Sequence, residues 1–574
     1  MAKQAPHLGV DEAFRSIQKS KSDCAQRLRD QRDEAFIVGH AVRHHQTNAM
    51  KAALDHLPIE ILTAILKQFC VHCQASSESP DAYSCGNQQQ PSEPSWYSLD
   101  RHALFSLCLT SRNLLEPAQA ILYHEFMPGY GDSWRTTRYT WAGRLTNFLC
   151  TISRRPDLAA MVKRVHIDPK LMFFVSPEEC KTAIGLAAAK FMIGLPEFAD
   201  YLDGPESWSP FSWKGNHYVD TQFSRELIHM LVLQLPELEH ISFKTSYLNR
   251  QTMPRPRPIP STAFRATTQT GPSIKRIAAA QDKGSSTDLD SFSSTLVPDT
   301  LEWIPPGHLQ ELHLHMVTAG GSLDLPSLSL INLKTLRITS SRITRSALSS
   351  ILSSIQALET FIYESAPTRN GTALDHRSES INDAFEPYDA VNCLQRHQAS
   401  LIRLHLQMSG YKCPGVSNFG TGLGLVTSLR DFSLKHLLIN AEAICNSPRA
   451  TPEDAKLLES LLPTSLESLA LSGNIYYFPF ELRLVNGLLG LADAVMAERY
   501  PHLKRITCDE VMPMDKYDTH GIPDSFRAGG VVFELSSWPL SKPTRSGGED
   551  FWPDGVSPTR KAVELPPEDD DEDL

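Results

Sequence analysis

The sequence predicts an α/β repeat fold that follows a short helical module near the N-terminal end. Three observations lead to this prediction. A six-residue apolar phrase occurs nine times between residues 162 and 508, helix-like segments separate several of the copies, and residues 57–69 have the apolar spacing of an amphipathic helix. Because a strand and its returning helix can bury their apolar faces only on the next copy, the alternation predicts a stacked solenoid.

The helical module is predicted from its apolar spacing. Isoleucine or leucine occupies positions 61, 62, 65 and 66. Pro58 lies at the predicted start of the helix, where the N–H that proline lacks would have no partner within the helix. A second helix is predicted behind Asp100 as N-cap, and a third over Leu114 to Tyr123. Residues 74–98 between them are rich in Ser, Pro and Gln, which predicts a solvated loop.

Each copy of the repeated phrase has a leucine-like residue, two variable positions, and two apolar residues that flank a third variable position. The copies begin at Val162, Leu238, Leu309, Leu333, Leu358, Leu401, Leu429, Leu466 and Leu503. Successive starts are 76, 71, 24, 25, 43, 28, 37 and 37 residues apart. The central spacings fit a leucine-rich-repeat unit, and the longer ones indicate insertions. Helices are predicted over 344–356, 387–397, 452–462 and 484–499.

Changes in composition predict four regions. Residues 1–50 form an arm that is either helical or disordered, and residues 51–126 form the helical module with its polar insertion at 74–98. Residues 127–511 form an irregular leucine-rich-repeat-like solenoid, and its Pro- and Ser-rich segment 250–298 is either a disordered insertion or a long surface loop. Residues 512–574 form an extension that ends in an acidic tail.

The helical module resembles an F-box. The residues that carry the resemblance are Leu57-Pro58-Ile59-Glu60-Ile61-Leu62, Ile65-Leu66, Leu104-Phe105-Ser106-Leu107-Cys108-Leu109-Thr110-Ser111-Arg112 and Pro117-Ala118-Gln119-Ala120-Ile121-Leu122-Tyr123. The continuation over 144–167 looks like the entry into the degenerate repeats of fungal F-box proteins. The chain departs from the family pattern in the long polar insertion between its first two helices.

This resemblance implies a substrate-recognition subunit of a Skp1-cullin-F-box ubiquitin ligase, without catalytic residues of its own. The F-box would bind a Skp1-like adaptor and thereby a cullin complex, and the repeats would select a client protein that the sequence does not identify. The candidate adaptor contacts, carried over by position from the F-box pattern, are Leu57, Pro58, Ile61 and Ile65. Some of them could instead belong to the core. The alternatives are a helical cap on the solenoid and a repeat scaffold unconnected with ubiquitylation.

Composition excludes several classes of partner. The 574 residues carry 55 basic and 66 acidic side chains, a net charge of −11, and Glu564 to Leu574 contribute seven of the acids. Without this tail, the rest of the chain has no excess of positive charge of the kind that attracts nucleic acid or an anionic membrane. With no signal-like segment and no run of 18 apolar residues, we expect a cytoplasmic and/or nuclear protein.

The cysteines raise the question of a metal. Cys70 and Cys73 have the spacing of half a zinc knuckle, and Cys85 follows, but a structural zinc site wants four ligands and no second close pair occurs. The sequence therefore predicts ordinary thiols, no metal and no cofactor. Neither G-x-S-x-G nor H-E-x-x-H occurs, and the sequence predicts no active site; an enzyme hidden in the insertions is the remaining alternative.

The client site is predicted on the variable positions of the strands, which alternation places on the face opposite the buried leucines. Arginine forks and an acid on one surface favour a protein or peptide over nucleic acid. Histidines recur at such positions, including His166 and His240, and could be chance residues of a solvated face or a pH-sensitive row. The candidate client contacts are Glu311, His313, His315, Arg337, Arg403 and His405.

Overall fold

The computed structural model describes thirteen stretches of the chain, some with short gaps: 54–74, 96–128, 143–171, 182–189, 228–245, 272–281, 307–319, 330–365, 386–407, 425–445, 451–472, 478–509 and 521–536. The predicted arm 1–50, residues 75–95 of the polar insertion and the acidic tail lie outside these residues.

The chain divides into two compact units, one from Met1–Gln68 and Leu104–Gln119 and the other from Phe69–Ala103 and Ala120–Leu574. The predicted module 51–126 is therefore shared between the two units. Its helices are α1 (Ile59–Lys67), α2 (Val71–Gln74), α3 (Trp96–Thr110) and α4 (Arg112–Tyr123).

The second helix of the module begins earlier than the sequence predicts. Asp100 is not its N-cap but lies inside α3, which starts at Trp96, and Tyr97 in the first turn is buried. Burial of this aromatic ring stabilises the added turn. The segment 74–98, predicted as a loop, is accordingly helical at both ends, at Gln74 and over Trp96 to Ser98.

The second unit contains a parallel sheet whose strands are neighbours in the order of the sequence. The path is β1-β2-β3-β4-β5-β7-β8-β9-β10-β11-β12-β13, and β6 pairs with β7 beside it. The strands are β1 (Glu125–Phe126), β2 (Arg164–Ile167), β3 (His240–Thr245), β4 (Arg276–Gln281), β5 (Glu311–His315), β6 (Thr318–Ala319), β7 (Thr335–Ile343), β8 (Thr360–Ser365), β9 (Arg403–Gln407), β10 (His436–Asn440), β11 (Ser468–Ser472), β12 (Arg505–Asp509) and β13 (Val532–Ser536).

Helices connect several of these strands, as the repeat pattern predicts. Thr344 caps the first turn of α7 by accepting a hydrogen bond from the N–H of Ala347 at 3.2 Å. The helices of the second unit that follow α4 are α5 (Arg144–Arg154), α6 (Pro156–Ala159), α7 (Arg345–Ser353), α8 (Pro387–Leu394), α9 (Leu457–Leu461), α10 (Phe478–Met496) and α11 (Gly521–Ala528). A 3-10 helix, Pro452–Lys456, precedes α9.

The core is built from the apolar positions of the phrase. The register aligns one apolar residue from each of seven strands, and every one of them is fully or almost fully buried: Leu312, Leu336, Phe361, Leu404, Leu437, Leu469 and Ile506. Because each strand buries its column on its neighbours and on the intervening helices, this unit is an α/β repeat solenoid.

Three strand predictions are wrong. Arg276–Gln281 is a strand, although it lies in the segment 250–298 that was expected to be a disordered insertion or a long surface loop. The copy predicted to start at Leu429 does not form a strand. The repeated phrase starts instead at Leu434, and its strand is His436–Asn440. The solenoid also continues past residue 511, because α11 and β13 add a further unit.

Candidate interaction surfaces

The first unit has six exposed large apolar side chains on α1, α3 and α4, which together are called its exposed apolar surface: Ile59, Ile61, Ile65, Phe105, Leu109 and Leu115. Ile61 is 51% exposed and Leu109 is 72% exposed. Leu62 and Leu66 of the same helix α1 are buried, so the helix has one face inside and one outside. Large apolar side chains grouped at a surface mark interaction sites more often than scattered ones do.

The predicted adaptor contacts lie on or near this surface. Pro58, Ile61 and Ile65 are exposed, and Leu57 is half-buried. Ile61 and Ile65 are one helical turn apart and therefore point the same way. Phe105 and Leu109, which belong to the F-box-like motif but were not among the predicted contacts, are also exposed and one turn apart on α3. The signal for them was a hydrophobic stripe wider than one buried face of that helix requires.

The second unit has a polar face, formed by the strand positions that alternate with the buried columns. Its middle row runs His166, Ser242, Ala278, His313, Arg337, Ile362 and His405 in register across β2 to β9. The expectation of a solvated row is wrong for the histidines, because His166, His313 and His405 are all buried. Long side chains on adjacent strands stand about 4.8 Å apart and exclude water from one another. The side chain of His315 lies outside the described residues.

Glu311 is held on this face by an arginine and a histidine. Its Oε2 is 2.6 Å from Nη2 of Arg276, on the adjacent strand β4, and 3.5 Å from Nε2 of His313. Burial would raise the pKa of Glu311, but the hydrogen bonds from His313 and Arg276 outweigh burial and hold this pKa well below its ordinary range. Burial, followed by the charge of Arg337, lowers the pKa of His313 to about 3. His313 and His405 are therefore unsuited to be direct client contacts.

Arg337 and Arg403 are half-buried on the same face. Burial, and then the like charge of Arg337, lowers the pKa of Arg403. Glu364 lies near them, with its Oε1 3.4 Å from Nε2 of His405. Burial raises the pKa of Glu364 to about 8, although the charge of Arg337 opposes this shift. At neutral pH the Glu364 carboxyl beside Arg337 is therefore a neutral acid.

Glu364→Gln should change how stability depends on pH. The folded chain holds the proton on Glu364 up to about pH 8, whereas the unfolded chain loses it above its ordinary pKa of 4.5. The folded state binds more protons between these values, so this group makes the free energy of unfolding fall as pH rises, by about 1.4 kcal/mol per unit. Relative to the parent, the variant should gain stability between pH 5 and pH 8 in urea titrations. A pH-independent difference would contradict the assignment.

Cys70 and Cys73, predicted to be ordinary thiols, lie beside two histidines, His72 and His124. His124 could not be recognised from the sequence pattern because it stands 51 residues beyond Cys73, outside the local spacing of zinc motifs.

Comparison with known proteins adds little to the description of this chain. No protein-family model matches the sequence, and no curated protein matches it. A solved structure, the leucine-rich repeat-containing protein LegL7 from Legionella pneumophila, is similar at 13% identity and a TM-score of 0.25, over 52% of this chain and 84% of that one. That likeness is too low to support an argument, so the repeat architecture rests on the strand order and register given above. Among the described residues, no helix has the length and apolar character needed to cross a membrane.

Proposed function

We propose that this protein is a substrate-recognition subunit of a Skp1-cullin-F-box ubiquitin ligase and is itself non-catalytic. The observation that carries the proposal is the exposed apolar surface of the first unit. It includes Ile61 and Ile65, at positions where the resemblance to an F-box puts adaptor contacts. An apolar helix face at a surface is what a helical partner with an apolar groove binds.

The client is proposed to bind the polar face of the second unit. Arg337 and Arg403 present two planar guanidinium groups, which suit a carboxylate or a phosphate on a protein or peptide. The adaptor surface and the client surface belong to different compact units. The proposed mechanism is proximity: the chain would raise the effective concentration of a client near a charged ubiquitin carrier, and partners would supply the chemistry.

Replacing Ile61 and Ile65 together by alanine should weaken adaptor binding without unfolding the chain. Each truncated apolar anchor costs about 1–3 kcal/mol of binding free energy, and 1.4 kcal/mol corresponds to about tenfold in affinity. We therefore expect the dissociation constant for a purified Skp1 adaptor, measured by calorimetry, to rise about 30-fold or more.

Ile331→Ala with Leu489→Ala is the matched control, since both side chains are similarly exposed but lie in the second unit. Equal loss of binding in both double variants would contradict a specific surface. A parent chain that binds no Skp1 and brings down no cullin would overturn the ligase proposal. The repeat unit would then fit the alternative, a protein-interaction scaffold unconnected with ubiquitylation.

A further inference from the structure

Four side chains with the donor atoms that zinc prefers meet in the second unit. Nδ1 of His124 lies 3.4 Å from Sγ of Cys73 and 3.7 Å from Sγ of Cys70. Nδ1 of His72 lies 3.9 Å from Sγ of Cys73. One ligand atom from each of the four residues lies within 4.8 Å of all the others.

These separations are close to those of a zinc coordination sphere. Zinc–sulfur bonds of about 2.3 Å and zinc–nitrogen bonds of about 2.05 Å at tetrahedral angles put sulfur and nitrogen about 3.6 Å apart. The three sulfur–nitrogen distances of 3.4, 3.7 and 3.9 Å bracket this value. The remaining pairs of ligand atoms are no more than 4.8 Å apart.

The backbone on both sides of His124 is already fixed. Its carbonyl oxygen accepts hydrogen bonds from the N–H groups of Lys163 and Arg164, at 2.8 and 2.9 Å, where β1 meets β2. The Arg101 guanidinium donates to the carbonyl oxygens of Leu122 and Glu125, on either side of it. A ligand held this firmly loses little conformational freedom when it binds a metal.

The other three ligands are positioned by α2 and by Glu125. Cys70 is buried directly before α2, and His72 and Cys73 lie in it. The backbone N–H of His72 donates to Oε1 of Glu125, whose side chain is also buried, so the carboxylate next to His124 holds the turn that carries the cysteines. The two negative charges of two thiolates, with two neutral imidazoles, balance the charge of Zn²⁺, which suits a partly buried site.

We propose that Cys70, His72, Cys73 and His124 form a structural zinc site. The ion would join the α2 turn to the connection between α4 and β1, at the edge of the sheet where the solenoid begins. Terminal units of a repeat array lack one neighbour, and a metal supplies the missing stabilisation there. This proposal does not depend on the ligase function.

The zinc content of the full chain, purified under reducing conditions without chelator, tests the site. We expect one zinc per chain by plasma mass spectrometry and its loss in Cys73→Ser and His124→Ala. Cys150→Ser and His308→Asn are the controls and should keep the metal, because both residues lie outside the cluster. Zinc retained in the first two variants, or lost equally in the controls, would overturn the assignment.

A variant that fails to fold would also lose zinc, so a second measurement uses the parent chain alone. After removal of zinc by a chelator under reducing conditions, Co²⁺ should restore one equivalent of metal, with the charge-transfer absorption of cobalt–thiolate bonds and the intense d–d bands of a tetrahedral site. Absence of both zinc and this spectrum, or a Cys70–Cys73 disulfide in the reduced preparation, would show that no such site exists.

Discussion

Gly490→Ala is expected to cost about 3 kcal/mol of the free energy of unfolding, at the upper end of the overpacking range. Gly490 lies in α10 where that helix crosses the 3-10 helix Pro452–Lys456. A Cβ at this position would overlap the carbonyl oxygen of Ala455 and lie 2.7 Å from its carbonyl carbon. Because the obstacle is backbone, no rotamer change relieves the overlap, and α10 must move away from the 3-10 helix. Urea unfolding monitored by circular dichroism measures the cost.

Gly487→Ala on the same helix is the matched control. Its Cβ would meet Leu458 Cγ at 3.4 Å and the Asp454 carbonyl oxygen at 3.5 Å, which are ordinary contacts. Alanine favours a helix interior by about 0.8–1.0 kcal/mol over glycine, so this variant should be as stable as the parent or more stable. Similar losses at both positions would show that the close approach at Gly490 is not the cause.

Asp454→Ala should be the most destabilising loss of a charged group, at about 3–5 kcal/mol. The Asp454 side chain is 1% exposed and accepts from Arg483 Nε at 2.8 Å. It also accepts from the N–H of Thr451 at 2.6 Å, which completes a capping box at the start of the 3-10 helix. Truncation removes the Asp454 carboxylate from beside the Arg483 guanidinium, whose side chain is only 12% exposed.

The exposed pair Arg527–Asp524 provides the comparison, because both side chains are more than two-thirds exposed. Asp524→Ala should cost at most about 1 kcal/mol. Burial would raise the pKa of Asp454, but the hydrogen bonds from Thr451 and Arg483 outweigh it and lower this pKa below its ordinary value of 3.8. The stabilisation from Asp454 is thus fully present at neutral pH and lost only in acid, so a difference between parent and variant that persists at low pH would contradict this account.

The repeat architecture could be predicted because its cause is local. Leucines such as Leu309 and Leu333 set the start of each strand, and the sheet pairs the copies that they begin. The strand Arg276–Gln281 was missed because Ala278 and Ala279 occupy positions that hold larger residues in other copies. At β10 the leucines at 429 and 434 both open plausible phrases, and only pairing of His436 with Arg403 decides between them.

The candidate sites were only partly predictable, because they depend on residues far apart in the sequence. Alternation correctly placed His313 and His405 on the face opposite the leucines, but not their burial, which comes from neighbouring strands. Glu364, whose carboxyl is neutral beside Arg337, was not predicted either, because its burial also comes from neighbouring strands. The cluster around Cys70 includes His124, which lies directly after the end of α4 and is brought to the cysteines only by the fold.

Strand order equal to sequence order has a consequence for synthesis on the ribosome. Along the main path from β1 to β13, every strand pairs with one that has already been translated, so each new unit finds its template in place as it emerges. No described strand of that path has to wait for a distant partner. β13, the last described strand of the path, leaves Val532 and Leu535 about half exposed. An exposed apolar edge strand of this kind is a surface to which chaperones of nascent chains could bind.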